Sequence, residues 1–132
     1  MHAVILTMAA ALVVWLLWRT SGARARRPIN PRLLCVIDGD TLWILNPDRT
    51  VSEKVRLQNV NAPELRRPHS RRELNRAVAA TGFLRGKIEQ ARSATIRRRG
   101  KDRYGRTLAR IAIDGQDLGR MLVRAGHAQR WV

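Results

Sequence analysis

Apolar and polar positions alternate in distinct rhythms along the chain. Residues 1–18 form an almost unbroken apolar run. The run just reaches the roughly 17–25 residues that a membrane-spanning helix needs, and Trp15 and Trp18 near its end suit an interfacial belt. Residues 19–31 lose all periodicity, and Ser21-Gly22, Pro28 and Pro31 break regular structure, which predicts a linker. Short apolar runs follow. Residues 33–37, bounded by Pro31 and Gly39, predict a strand, and residues 41–45 predict a second, ended by Asn46-Pro47-Asp48. The third strand alternates, with Val51, Val55 and Leu57 on one side and Ser52, Lys54, Arg56 and Gln58 on the other. That alternation turns Arg56 away from the core.

Beyond the loop marked by Pro63 and Pro68 the period changes to that of a helix. Over residues 72–92, Leu74, Ala77, Val78, Thr81, Leu84 and Ile88 share one broad face, although Gly82 and Gly86 weaken it. Residues 94–99 and 107–113 predict two more strands, and Asp114-Gly115 a turn. Asp117 can cap a last helix whose Leu118, Met121, Leu122 and Ala125 form one face, with Gly126 as its stop. Five short strands, interrupted by one helix and closed by another, predict a mostly β, α+β domain. This pattern suits a five-stranded Greek-key barrel of the OB type. The expected division is a transmembrane anchor or signal segment over 1–18, a basic linker over 19–31 and the barrel domain over 32–132. No internal repeat interrupts it.

Charge sharpens the picture. The chain carries 26 Lys and Arg against 10 Asp and Glu, a formal net charge of +16. None of it lies in residues 1–18, and Arg19, Arg24, Arg26 and Arg27 stand in the linker without an acid. A small domain this basic repels itself, a cost offset by a polyanionic partner, either nucleic acid or an anionic membrane surface. The same arginines bear on the first segment. A signal peptide wants a positive n-region, and only the α-amine and His2 precede this apolar run. Ala23-Arg24-Ala25 has the small-x-small form of a cleavage site but sits among arginines. A membrane anchor is therefore expected, with secretion or periplasmic release after cleavage as the alternative. The side of the membrane stays open.

Cysteine and histidine usage narrows the chemistry. The single Cys35 forms no intramolecular disulfide, and its apolar run predicts a buried, inert thiol. His2, His69 and His127 follow no zinc spacing. Nothing points to an obligate protein partner.

Three motifs carry candidate chemistry. Asp38-Gly39-Asp40-Thr41 sets two carboxylates about a glycine between two apolar strands. A turn is the plain explanation, but hard cations such as Ca²⁺ take oxygen ligands, and a metal would give the carboxylates a task. In the second motif, Arg56 closes a strand and Asn61-Ala62-Pro63-Glu64 follow in a loop. Asn61 offers a side-chain oxygen and Ala62 a carbonyl to a metal. Glu64 is either a surface partner of Arg66 or Arg67, or a base. Lys101-Asp102-Arg103-Tyr104-Gly105-Arg106 lies between two strands. It is either a basic hairpin turn or a phosphate clamp, since arginine's planar fork binds phosphate in bidentate fashion and Tyr104 adds a hydroxyl and a ring face.

These three motifs, in this order and spacing, closely resemble those of the staphylococcal nuclease-like (thermonuclease) family, over about residues 33–131. The resemblance implies an OB-fold barrel with a calcium site at its rim and DNA and RNA as substrates. It implies that Asp40, Asn61 and the Ala62 carbonyl hold the calcium, with Asp38 and Thr41 supporting them. It further implies Glu64 as general base, Arg56 and Arg106 as the clamps on the five-coordinate transition state, and Arg103 and Tyr104 as nucleotide-binding residues. Cleavage in this family releases a 5′-hydroxyl and leaves a 3′-phosphate. Two departures stand out. The family usually has Asp where this chain has Asn61, so calcium binding is expected to be weaker. The family pattern also continues past Val132 with tyrosines and a further helix, so that part of the substrate wall is expected to be missing or supplied from elsewhere. The competing expectations are a barrel that binds nucleic acid with little or no cleavage, and a basic domain that binds anionic lipid headgroups.

Overall fold

The computed structural model describes residues 8–17 and 25–131. Residues 8–17 are helical (α1) and exposed. Among the described residues no helix is long and apolar enough to cross a membrane. The transmembrane helix expected over residues 1–18 is thus not found among them, and that span reaches past the described residues at both ends.

The domain begins earlier than the sequence predicts. Residues Arg27–Ile29, expected as linker, form a short strand, β1, antiparallel to β6 (Ala94–Lys101), with Pro28 opposite Thr95. Proline is tolerated here because β1 is an edge, where no second neighbour needs its missing N–H. A 3-10 turn, Pro31–Leu33, then leads into β2 (Leu34–Asp38), β3 (Thr41–Leu45) and β4 (Val51–Leu57), an antiparallel meander. After the two-residue β5 (Val60–Asn61) come α2 (Arg71–Glu89), β6, β7 (Thr107–Ile113), the short β8 (Gln116–Asp117), α3 (Leu118–Arg124) and β9 (Gln129–Arg130). The sheet order is β1-β6-β7-β4-β3-β2, and its β4–β7 pair is parallel. This is a mixed α+β fold, consistent with an OB-like barrel. Five longer strands enclose a core, with a helix inserted between the third and fourth and another after the fifth.

Alternation supplies the inner face. Val55, Leu57, Ala109, Ile111 and Ile113 are buried while Arg56, Leu108, Arg110 and Ala112 turn outward. Leu42, Leu84, Ile96, Ile111, Leu118 and Leu122 are fully enclosed, and each such side chain contributes roughly 1.5–3 kcal/mol. Cys35 is half-buried rather than enclosed, because it stands opposite Trp43 on the outward side of β2.

Helix α2 begins at Arg71 because Ser70 caps it. The Glu73 N–H donates to Ser70 Oγ at 3.1 Å, and the His69 N–H donates to Glu73 Oε2 at 2.9 Å. Its buried face differs from expectation. Ala77, Ala80, Thr81, Leu84 and Ile88 face inward, whereas Leu74 and Val78 lie exposed. Close approach explains the choice. A Cβ on Gly39 would stand 2.7 Å from Ala62 Cβ and 3.0 Å from Ala80 Cβ, so the β2–β3 turn fits only against small residues. Helix α3 follows the expected signals. Asp117 Oδ1 accepts from the Arg120 N–H at 3.0 Å, and Gly126, at φ 76°, reverses the chain. The reversed segment returns along β5, pairing Val60 with Arg130 and Asn61 with Gln129. Phe83 and His127 pack ring to ring at 4.7 Å and dock it onto α2.

Candidate functional site

Asp40 sits in the β2–β3 turn, 7% exposed. The Ala62 N–H donates to its Oδ2 at 2.9 Å, the Thr41 hydroxyl donates to its Oδ1 at 3.1 Å, and Arg56 Nη2 lies 3.3 Å from Oδ2. Asp38 supports the turn by accepting from the Asp40 N–H at 3.2 Å. Burial pushes the Asp40 carboxyl up to about 6. Arg56 and the Ala62 N–H pull the other way, while Asp38 adds to the rise. The charge on Asp40 is therefore only partly compensated.

Arg56 is turned away from the core but is not free in solvent. Its Nη1 donates to the carbonyls of Leu57 at 2.7 Å and Val60 at 2.8 Å, and its Nη2 reaches Asn61 Oδ1 at 3.5 Å. A guanidinium has five N–H donors, so this grip leaves Nε–H uncommitted, and the contact to Asn61 is long enough to give way. Asp40, Thr41, Arg56, Asn61 and Ala62 thus form one connected cluster, with Asp38 beside it.

Arg106 reaches the same face by sheet register. In the parallel β4–β7 pair, Leu108 lies opposite Arg56 and Thr107 opposite Val55. Side chains two apart share a face, so Arg106, just before β7, stands on the Arg56 side. It is held by Asp102. Asp102 Oδ2 accepts from Arg106 Nε at 2.8 Å, and Oδ1 accepts from the Tyr104 and Arg106 N–H groups at 2.9 Å each. Slight desolvation raises the Asp102 carboxyl, but the bonds from Arg106 and Tyr104 outweigh it and hold the carboxyl below its ordinary range. Gly105, at φ 77°, closes the turn. Tyr104 is exposed beside two guanidinium groups, with Arg103 at 4.9 Å and Arg106 at 5.5 Å from its ring centroid. Arg103 Nη2 donates to its hydroxyl at 2.7 Å.

Glu64 borders the Asp40 cluster through Asn61 and Ala62. It is exposed and lines a cleft of about 580 Å³ with Asn61, Ala62 and Pro63 on one side, His69 and Arg72 at the start of α2, and Gln129 of β9. It has no ion pair with Arg66 or Arg67 among the described residues. Asn61 joins the two parts, since it lines the cleft and contacts Arg56.

For a metal, Asp40, Asp38 and Asn61 offer hard oxygen donors, and the under-compensated Asp40 carboxylate suits a cation. Among the described residues, however, no group of three or more His, Cys, Asp or Glu gathers to hold one. Sequence reasoning missed Asp102 as the organiser of the Arg106 turn. An Asp three residues before a glycine is the signal that could have found it. It also missed Glu53, whose carboxylate takes a forked contact from Arg98 (Nη2 at 2.7 Å, Nε at 2.9 Å) and a hydrogen bond from the Thr107 hydroxyl at 2.6 Å. That bridge ties β4, β6 and β7 together, at the residue next to Arg106.

The domain is thus an OB-like α+β fold that carries Arg56 and Arg106 on one outer face, a buried Asp40 and a cleft lined by Glu64. Residues 54–132 match the family described as staphylococcal nuclease homologue, and the chain belongs to that family. No curated protein matches the chain. Membership makes the domain a nuclease-like or nucleic-acid-binding module, with nucleic acid as the substrate class. The match takes in Arg56, Asn61, Ala62, Glu64, Arg103, Tyr104 and Arg106, while Asp38, Asp40 and Thr41 lie before it.

Proposed function

We propose that the chain is a calcium-dependent nuclease that hydrolyses phosphodiester bonds of DNA and RNA and leaves 3′-phosphate products. The observation that carries this reading is the placing of Arg56 and Arg106 on one outer face by the β4–β7 register, each in contact with a carboxylate. Two preset guanidinium groups suit the growing charge on a phosphoryl group under attack. Glu64, exposed and in no ion pair among the described residues, is available as the base that takes a proton from the attacking water. Arg103 and Tyr104 would take the nucleotide's phosphate and sugar. Asp40, Asn61 and the Ala62 carbonyl would hold Ca²⁺, supported by Asp38 and Thr41. The ion would neutralise phosphate charge and polarise its oxygens. Asn61 brings no charge of its own, so a high calcium requirement accompanies this assignment.

The test is calcium-dependent release of acid-soluble nucleotides from single-stranded DNA. Wild type should be active and Glu64→Gln slower by about 100- to 10,000-fold, the range for a general base. Equal inactivity of both would leave the second reading, a barrel that binds nucleic acid without cutting it, which the uncharged Asn61 favours. Tethering through residues 1–18, flanked by Arg19 to Arg27, belongs to the same proposal. Protease accessibility on intact cells tests it and reports the side on which the domain lies.

A further inference from the structure

The two-stranded ribbon of β5 and β9 has two sides. Asn61 and Gln129 pair with each other and line the Glu64 cleft. Val60 and Arg130 pair one step along and line a separate cleft of about 630 Å³ between the ribbon, β7 and α3. Trp131 lies at the rim of this second cleft, 61% exposed, its N–H donating to the Asn59 carbonyl at 2.8 Å. Helix α3 lies close because it carries Gly119, where a Cβ would stand 3.0 Å from Val60 Cγ1.

Four exposed arginines converge on this cleft: Arg110 from β7, Arg120 and Arg124 from α3, and Arg130 from β9. Arg120 and Arg124 are neighbours on one helix face, a like-charge pair that weakens the helix. The one acid in the lining, Asp117, is engaged as the α3 cap. Ion pairs among the described residues are Arg56–Asp40, Arg98–Glu53 and Arg106–Asp102, so none of these four has a carboxylate partner. Gln58 lines the same cleft.

This cleft continues the face that carries the clamps. The Gln58 N–H donates to the Ala109 carbonyl at 2.9 Å, which extends the parallel register past Leu57. Arg106, Leu108 and Arg110 therefore share a side with Arg56 and Gln58. Arg106 and Arg110 are four residues apart, about 13 Å along a strand.

We propose that the cleft between α3 and the β5–β9 ribbon is an auxiliary track for single-stranded nucleic acid. Its guanidinium groups hold phosphates and Trp131 stacks on a base. The proposal rests on the reading that nucleic acid is the substrate. An unpaired strand is favoured over a duplex because stacking on Trp131 needs a free base face. It is favoured over a lipid surface because the arginines line a concavity.

The test is fluorescence anisotropy with a labelled 15-nucleotide DNA strand and a labelled dinucleotide across a salt series, in the full-length Glu64→Gln protein so that the strand stays intact. The strand should bind far more tightly than the dinucleotide. Arg120→Ala/Arg124→Ala should weaken strand binding tenfold or more and lower the log–log salt slope by about 1.4, as two lost single-strand phosphate contacts require. Trp131→Ala should weaken strand binding by about fivefold or more, the loss of one stacked base, with the salt slope kept, and Trp131→Phe should restore part of it. Thermal melts verify that each variant is folded. Variants that bind the strand as tightly as their parent overturn the track. So does displacement of the strand by anionic phosphatidylserine vesicles, with the double variant losing vesicles and not strand. Cleavage is measured separately, so an inactive wild type leaves the anisotropy result standing, and an active one does not rescue a track that the variants ignore.

Discussion

Arg56 and Asp40 meet at 3.3 Å, yet Asp40 is not the strongest hold on that arginine. The shorter contacts run from Nη1 to the Leu57 and Val60 carbonyls, at 2.7 and 2.8 Å. The β4–β5 turn therefore orients the guanidinium as much as the carboxylate does. Lysine keeps the charge but has no planar fork to span two carbonyls and a carboxylate at once. Arg56→Lys should lower kcat by about 100- to 1000-fold, the loss seen when one preset donor to a developing anion is removed. Steady-state cleavage of single-stranded DNA measures it. Activity within a factor of a few of wild type would show that only charge is needed at this position.

The β2–β3 turn is set by space as well as by charge. A methyl at Gly39 meets Ala62 Cβ at 2.7 Å and Ala80 Cβ at 3.0 Å, and neither can rotate aside. Gly39→Ala should destabilise the fold by ~1–3 kcal/mol, typical of overpacking. At roughly 4–8 °C per kcal/mol for a domain of this size, the loss is plain in a thermal melt. Ala62→Gly in the same chain opens the tighter contact, so the double variant should recover part of the loss. Strictly additive effects would mean that the turn moves away from Ala62 instead of pressing on it.

How far the sequence reveals this fold depends on how local each signal is. The alternation at Val55, Arg56 and Leu57 and the Asp117 and Gly126 ends of α3 are written in neighbouring residues, and they appear as expected. Strand β1 is not. Arg27, Pro28 and Ile29 have no strand pattern of their own and are ordered by the β6 edge. The inward face of α2 was also hidden, because Ala77 and Ala80 win over Leu74 and Val78 only where the Gly39 turn demands close approach. The candidate site divides the same way. The family resemblance of the motifs points to Arg56, Glu64 and Arg106, but the two-sided β5–β9 ribbon follows from the pairing of Val60 with Arg130, a contact across 70 residues. No window of sequence contains that.

Glu53 makes stability depend on acid. The hydrogen bonds from Arg98 lower its carboxyl below the usual 4.5, against desolvation, with the Thr107 hydroxyl and the charges of Arg98 and Lys101 adding to the fall. A depressed carboxyl contributes stability that is present above 4.5 and lost as pH falls through the folded value. Glu53→Gln should therefore lower the Tm at pH 7, and the gap from wild type should close as pH drops below 4.5. Melts at intervals from pH 7 to pH 3 measure both curves. A constant gap across that range would show that Glu53 acts through packing and not through its charge.

Asn61 is where charge at the proposed calcium site can be changed most directly. It lines the Glu64 cleft, and its Oδ1 lies 3.5 Å from Arg56 Nη2. Asn61→Asp keeps the shape and adds one negative charge beside Asp40, whose own carboxyl is pushed up to about 6 by burial. A second carboxylate attracts a cation and also pulls on Arg56, so the two effects compete. Calcium should gain more, because a divalent ion carries twice the charge of the guanidinium and Arg56 is already held by two carbonyls. The calcium concentration for half-maximal cleavage should fall by about tenfold, a modest step within the range over which ligand charge tunes calcium sites. Calorimetric titration of calcium into the protein without nucleic acid should show the same tightening. If the requirement in cleavage and the calorimetric Kd both stay as in wild type, the ion does not bind at Asn61. Tighter calorimetric binding with slower cleavage would show the added carboxylate drawing Arg56 away from the phosphate.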